Sequence, residues 1–219
     1  MKNKYHTQLG IGLALLTAIG SANAATILAI DFNNGSSPTE TGFIGQNSSG
    51  INHTTTAGDI TVNFSGQQGT FDRGASGGTN NDFYRDFIFD NFNDSPDMTL
   101  TLSGLGIAAS TAYEMTFYAY DSGDATRKTG FAGISGTTGT TLGPVISQDT
   151  GVPDSLDEYA VTGTFTSDNS GSLTFGIDGL PNGGERTVLN GFSIAAIPEP
   201  SAALLGGLGL LALLRRRRD

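Results

Sequence analysis

The sequence predicts an all-β protein, an antiparallel β-sandwich, and three observations support this fold class. Short segments alternate apolar and polar residues with a period of two, as half-buried strands do. Clusters of Gly, Asn, Asp and Ser separate these segments, and the 219-residue chain contains 32 glycines. No segment shows the 3.6-residue periodicity of an amphipathic helix convincingly. Together these features favour two packed sheets over a fold that contains helices.

About eight segments carry the strand pattern. The clearest is 114–121, which places Met115, Phe117 and Ala119 on one face. The other expected strands are 25–32, 59–66, 82–90, 99–104, 159–167, 172–179 and 188–194. Most of them present Thr, Ser, Asn or Asp on the second face, so the outer faces of the sandwich should be wetted.

Two long connections interrupt this pattern, at 65–82 and 135–158. Glycine-rich loops of this length are uncommon in compact domains, so each is expected to be either a binding loop or disordered. Within strand 82–90, Arg85 and Asp86 should point to opposite faces, and Arg85 is expected to form a structural ion pair beneath the first loop.

The charge of the central region excludes one class of partner. Between residues 25 and 199 the chain has twenty acidic residues and five basic ones, a net charge of about −15. It contains no basic patch with interleaved aromatic residues. A region with such a negative electrostatic potential should repel phosphate backbones, so a nucleic-acid partner is not expected.

The first 24 residues have the three parts of a secretory signal peptide. Lys2 and Lys4 form a positive n-region, and 9–20 is an apolar core. Ala22 and Ala24 form the small-x-small site that signal peptidase accepts, so cleavage is expected after Ala24. The core is shorter than the roughly 20 apolar residues that a membrane span requires. The sequence therefore predicts export by the Sec machinery of a domain that covers 25–196.

Catalysis is not expected in this domain. The chain has no cysteine, and His53 is the only histidine of the exported region, so Cys-His chemistry is impossible and a Ser-His-Asp triad would need that single ring. Paired carboxylates could hydrolyse a glycoside, but they are too abundant here to be specific. A glycoside hydrolase or lyase is therefore kept only as an alternative.

Two kinds of binding site remain possible. Oxygen-rich turns in a cysteine-free exported protein suit calcium better than zinc, and the most compact candidate is Asp121 with Asp124, followed by Asp31 and Asp178. A sugar site would need an aromatic platform, and the chain has no tryptophan. Tyr118 and Tyr120, which should point away from the face of Phe117, are the candidate platform, although they could equally be cross-strand pairing residues.

The order of several segments resembles a known superfamily. An opening ATILAIDF, a middle FYRDFIFD, an LTLSGL that leads into AYEMTFYAYD, and a closing VLNGFSI are similar to the galactose-binding-like jelly-roll domains of exported bacterial proteins. The resemblance implies a jelly-roll sandwich and a carbohydrate-binding function. An immunoglobulin-like or fibronectin-like sandwich is the alternative topology.

The last 23 residues, 197–219, form a separate segment. Pro198, Glu199 and Pro200 precede the uncharged stretch 201–214, and four arginines, Arg215, Arg216, Arg217 and Arg218, follow it. Fourteen residues in a helix span about 21 Å, which makes a marginal single transmembrane helix against a hydrocarbon core of roughly 30 Å. The arginines should remain in the cytoplasm.

This arrangement closely resembles the PEP-CTERM sorting signal. The resemblance implies a transient inner-membrane anchor in a Gram-negative bacterium, processing by an exosortase, and delivery to the cell surface or extracellular matrix. We therefore expect a non-enzymatic structural or adhesive component associated with exopolysaccharide. A carbohydrate-binding protein is the first alternative, and structural calcium is the one cofactor that the sequence suggests.

Overall fold

Two six-stranded sheets, one three-stranded sheet and one short helix make up the described part of the chain in a computed structural model of the protein. The structure describes residues 24–35, 37–47, 52–74, 81–91, 96–123, 128–139, 141–146, 153–179 and 186–198. Most of the predicted signal peptide and of the sorting segment therefore lies outside the described residues. Within them, no helix combines the length and the apolarity needed to cross a membrane.

The strand bounds define the three sheets. Sheet 1 contains, in spatial order, β10 (Thr138–Gly139), β12 (Ala160–Thr166), β8 (Ala112–Tyr118), β15 (Gly191–Ala196), β1 (Ala25–Asn33) and β2 (Ile44–Asn47). Sheet 2 contains β11 (Leu142–Ile146), β9 (Lys128–Ile134), β13 (Leu173–Gly179), β7 (Met98–Ser103), β4 (Ile60–Ser65) and β3 (Asn52–Ala57). Sheet 3 contains β14 (Thr187–Leu189), β6 (Asp86–Asp90) and β5 (Gly69–Asp72), and helix α1 is Asn81–Tyr84.

The order of the strands is that of a jelly roll. Strands β1, β15, β8 and β12 lie side by side in sheet 1, and β7, β13, β9 and β11 lie side by side in sheet 2. Most steps along the chain cross between these sheets, as from β7 to β8, β8 to β9, β12 to β13 and β13 to β15. The last strand lies beside the first. Crossing connections of this kind are typical of a double Greek key, so the jelly-roll prediction is confirmed and the immunoglobulin-like alternative is wrong.

Aromatic side chains form the contact between sheets 1 and 2. Phe117 of β8 stacks on Phe131 of β9, with ring centroids 4.4 Å apart and an angle of 8° between the planes. Phe175 of β13 meets the edges of Phe117 and Phe165 at centroid distances of 5.1 and 4.9 Å. These rings are fully buried. The period-2 pattern predicted the inward faces of Phe117, Phe165 and Phe175. Phe131 was not predicted, because it lies on β9, outside the predicted strands.

The second face of sheet 1 is also covered, by α1. A smaller cluster of buried rings lies there: Phe83 and Tyr84 of α1 with Tyr118 and Tyr120 of the β8 segment. Phe83 approaches the backbone of Gly191 so closely that a Cβ at that position would collide with the ring. A glycine in β15 therefore allows the helix to pack on the sheet.

Four details of the strand prediction are wrong. Strands β2, β3 and β9 lie outside all eight predicted segments, and β9 is an inner strand of sheet 2. Segment 82–90 begins as helix α1 and becomes strand only at Asp86. Segment 65–82, expected to be a loop, contains strand β5, and 135–158 contains β10 and β11. The sheets are also not purely antiparallel, because β1 and β2 pair in parallel at the edge of sheet 1.

Candidate functional site

A groove on sheet 3 combines exposed aromatic surface with arginines. It has a volume of about 260 Å³, and six residues line it: Phe71, Arg73, Phe87, Phe89, Asn91 and Arg186. We call it the aromatic–arginine groove. None of its described lining residues is acidic. Residues 25–196 contain nineteen acidic and five basic residues, and two of the five basic residues line this groove.

Cross-strand pairing of β5 and β6 builds the aromatic wall. Phe71 lies opposite Phe87 in the register. Their rings stack at a centroid distance of 5.9 Å and an angle of 18°, and Phe89 meets the edge of Phe87 at 6.4 Å. Phe87 is buried, whereas Phe71 is 42% exposed. Phe71 therefore offers an aromatic surface to solvent, and Phe87 fixes its orientation.

Arg73 lies over one face of the Phe71 ring and is held rigidly. Its Cζ lies 4.5 Å from the centroid of the Phe71 ring, in cation–π geometry. Its Nε and Nη2 donate to the two carboxylate oxygens of Asp121 at 2.6 and 3.0 Å. The backbone N–H of Gly123 also donates to Asp121, at 2.9 Å, and a Cβ at Gly123 would collide with the guanidinium. A bidentate pair of this kind fixes the guanidinium plane against the ring.

Arg186 and Asn91 supply the remaining polar groups. Both are exposed, and Arg186 forms no ion pair with another described residue. The Nδ2 of Asn91 donates to Gln68 Oε1 at 3.2 Å. Asp121 neutralises Arg73, whereas Arg186 has no ion-pair partner among the described residues.

The predicted sugar platform is not exposed. Tyr118 and Tyr120 do point away from the core that contains Phe117, but they are only 7% and 1% exposed. Phe83 lies 5.0 Å from the Tyr118 ring centroid, and burial raises the pKa of the Tyr118 phenol. Rings covered in this way present no face on which a sugar could stack. They stabilise the attachment of α1 to sheet 1.

The predicted calcium site at Asp121 and Asp124 is described only in part. Asp121 is buried and both of its oxygens face Arg73, whereas Asp124 lies outside the described residues. Among the described residues, no three acidic or histidine side chains group in a metal-binding arrangement. The ion pair expected for Arg85 is confirmed: its Nη2 and Nε donate to Asp72 at 2.6 and 3.1 Å, which lowers the pKa of that carboxyl.

The terminal motifs are mostly outside the described part of the chain. Ala24 directly precedes β1, and Pro198 is exposed two residues after β15. Ala22, Glu199, Pro200 and Arg215 to Arg218 lie outside the described residues.

Comparison with known proteins gives one structural neighbour and no family. No protein-family model matches the chain, and no curated protein matches it either. Among solved structures, the chain is similar to the CBM22-1 xylan-binding domain from Paenibacillus barcinonensis Xyn10C, with a TM-score of 0.41 and 14% sequence identity. The match covers 80% of this chain and 97% of that domain.

A second polar feature lies where β1 meets β6. Asp31 and Asp86 are both completely buried. Burial, together with the neighbouring charges of Asp86, Glu40 and Asp82, raises the pKa of Asp31 to about 7, although the hydrogen bond from the Glu40 backbone opposes this shift. Burial also raises the pKa of Asp86 to about 6, where the charge of Asp72 adds to the effect and Arg85 opposes it. These two carboxyl groups titrate close to neutrality.

We expect these carboxyl groups to weaken the fold as pH rises. The folded pKa of Asp31 lies above the value of about 3.9 in an unfolded chain, so its stabilising contribution is complete below pH 4 and is lost through pH 7. With a chelator present, the free energy of unfolding would be measured in urea at pH 5 and at pH 8. It should fall more between these two pH values for the native sequence than for Asp31→Asn. Equal losses in the two proteins would contradict this prediction.

Proposed function

We propose that the chain is an exported, non-enzymatic matrix protein whose sandwich binds polysaccharide through the aromatic–arginine groove. The observation that supports this function best is the exposed Phe71 ring, which Phe87 and Arg73 hold in a fixed orientation. The apolar faces of sugar rings stack on such aromatic surfaces, and fixed polar groups around them supply orientation.

The polar groups of the groove favour an acidic polysaccharide. Arg186 forms no ion pair with another described residue, and the donors of its guanidinium match a carboxylate, as found on uronic acids. No carboxylate that would repel this group is found among the described residues that line the groove. The surrounding domain is acidic, so the attraction between Arg186 and a sugar carboxylate must act at short range. Binding of an acidic polysaccharide should therefore weaken as the salt concentration rises.

Binding to acidic and neutral polysaccharides tests this proposal. We expect the full-length chain to bind polygalacturonate more tightly than dextran, and the difference to shrink as sodium chloride is raised. Phe71→Ala should weaken binding roughly tenfold, since an aromatic contact contributes about 1–1.5 kcal/mol. Arg186→Ala should remove the preference for the acidic polymer.

Leu105→Ala is the matched control, because Leu105 is 94% exposed and lies outside the groove. It should bind like the native sequence. Binding that Phe71→Ala and Arg186→Ala leave unchanged would show that the groove is not the site. Release of sugars from the same polymers would instead favour the glycoside hydrolase or lyase alternative.

The proposal includes the route by which the protein reaches the polysaccharide. Sec export, cleavage after Ala24, temporary anchoring by 201–214 and processing by an exosortase near Pro198 to Pro200 would deliver the sandwich to the cell surface. Pro198 and Pro200 support this route physically, because two prolines keep a segment extended and accessible to a processing enzyme.

A further inference from the structure

The aromatic–arginine groove lies beside the last residues of β1. Thr70, the neighbour of Phe71 in β5, donates from Oγ1 to Asn34 Oδ1 at 3.2 Å. Asp72, on the other side of Phe71, accepts a hydrogen bond from the Ser37 hydroxyl at 3.5 Å. Both contacts are made with the segment that directly follows β1, so the groove is next to the C-terminal end of that strand.

Two further strands have an end near the groove. Asn190 directly precedes β15, and its Nδ2 donates to the backbone oxygen of Asp86, the first residue of β6, at 2.7 Å. Asp121 follows β8 and holds Arg73 by the two hydrogen bonds described above. The end of β1, the start of β15 and the end of β8 therefore lie at one end of the sandwich together with the groove. We call this the groove end.

The other ends of the same strands lie together at the opposite end of the sandwich. Ala196, the last residue of β15, pairs with Tyr113 near the start of β8. Strand β15 also lies beside β1, and Phe32 N donates to Asn190 O at 2.8 Å. Because β1 ends one residue after Phe32, β15 can run along it only in the antiparallel direction, so Thr26 lies near Ala196. We call this the attachment end.

The length of a strand separates the two ends. Strand β1 has nine residues, which span about 25 Å at the usual rise per residue. In the sequence, Ala196 is followed directly by the segment 197–219, which contains the predicted sorting motif. The residue after which that segment begins is therefore about one strand length from the groove.

We propose that the sandwich is a bridge, held at the cell surface through its attachment end while the groove end binds acidic polysaccharide. This inference rests on the function proposed above for the groove and adds how that site is used. A site beside the attachment point would be covered by whatever holds the chain, whereas a groove one strand length away remains open. Many chains held on one surface would then bind the same polymer together, which strengthens binding without any new contact.

Attachment through a single engineered cysteine tests the proposal, since the chain has no cysteine of its own. Asp59→Cys places the attachment point at the attachment end. Asp59 is exposed, and its backbone oxygen accepts a hydrogen bond from Gly106 N at 3.0 Å, in the connection that leads into β8. Asn91→Cys places the attachment point in the groove, where Asn91 is also exposed.

Each full-length variant would be coupled to a maleimide surface, and its Kd for polygalacturonate would be compared with that of the same variant free in solution. Attachment through Asp59→Cys should change Kd by no more than about twofold, whereas attachment through Asn91→Cys should weaken binding at least about tenfold. Beads coated with Asp59→Cys should aggregate when the polymer is added. They should not aggregate when Phe71 is also replaced by alanine.

Two controls keep the comparison valid. Circular dichroism would establish that each variant is folded. If Asn91→Cys does not bind polygalacturonate when it is free, Gln68→Cys replaces it, because Gln68 Oε1 accepts a hydrogen bond from Asn91 Nδ2 and thus lies beside the groove.

The possible failures are distinguishable. Loss of binding on attachment through Asp59→Cys, in a variant that binds when free, would overturn the bridge and leave the groove as the binding site. Free protein that does not bind polygalacturonate, or that binds it equally well after Phe71→Ala, would contradict the proposed function, and the bridge would fail with it.

Discussion

Replacing Phe117 with alanine is expected to lower the free energy of unfolding by about 3–5 kcal/mol, the usual cost of truncating a buried aromatic side chain. Phe117 lies between the two main sheets, stacks on Phe131 and meets the edge of Phe175. Its removal would leave a cavity that the two neighbouring rings, fixed on strands β9 and β13, cannot close. Urea unfolding followed by circular dichroism would measure the change.

Leu105→Ala provides the comparison for this prediction. Leu105 is 94% exposed, so its loss should change stability by no more than about 0.5 kcal/mol. If Phe117→Ala does not fold, Phe117→Leu should retain the fold with a smaller cost, because it removes less volume. A Phe117→Ala protein as stable as Leu105→Ala would contradict the proposed packing of the sheets.

Replacing Arg73 with methionine is expected to cost a similar amount, about 3–5 kcal/mol, for a different reason. Asp121 is completely buried, and Arg73 faces both of its carboxylate oxygens. Methionine keeps much of the side-chain length but removes the guanidinium that donates to both oxygens of this buried carboxylate. The cost should therefore exceed that of breaking a surface ion pair, which is typically below about 1 kcal/mol.

The double variant Arg73→Met with Asp121→Asn separates charge from packing. Because asparagine carries no charge, the double variant should recover a large part of the stability that Arg73→Met alone loses. A double variant no more stable than Arg73→Met would show that the effect comes from lost packing on Phe71 rather than from the buried charge.

The sequence predicted most inner strands of the two main sheets because these strands are regular, but it missed β9 of sheet 2. In β8, Met115 and Phe117 alternate with polar residues, and this alternation correctly placed both in the core. Tyr118 and Tyr120 were also correctly placed on the opposite face. Their burial was not predictable, because it depends on α1, and residues 81–84 belong to a segment whose Phe and Tyr residues also suit a strand.

The groove was missed for a similar reason. Phe71 and Arg73 lie on and just after a four-residue strand, inside a glycine-rich segment that was predicted as a loop. Arg186 is distant in sequence, and only the pairing of β14 with β6 places it near them. The alternation of Phe71 and Arg73 was a strand signal, but two positions are too few to identify a strand. Asp31 was noted as an oxygen donor, whereas the pairing with Asp86 requires the contact of two sheets.

The central claim is that the β-sandwich is exported, is processed at its sorting segment and binds polysaccharide outside the cell. The intact mass of the mature protein tests this claim most directly. The protein would be recovered from the extracellular polysaccharide fraction of the producing bacterium and analysed by mass spectrometry. The account predicts a chain that begins after Ala24 and lacks Arg215 to Arg218. A protein that remains in the cell membrane with a mass that includes Arg215 to Arg218 would contradict it.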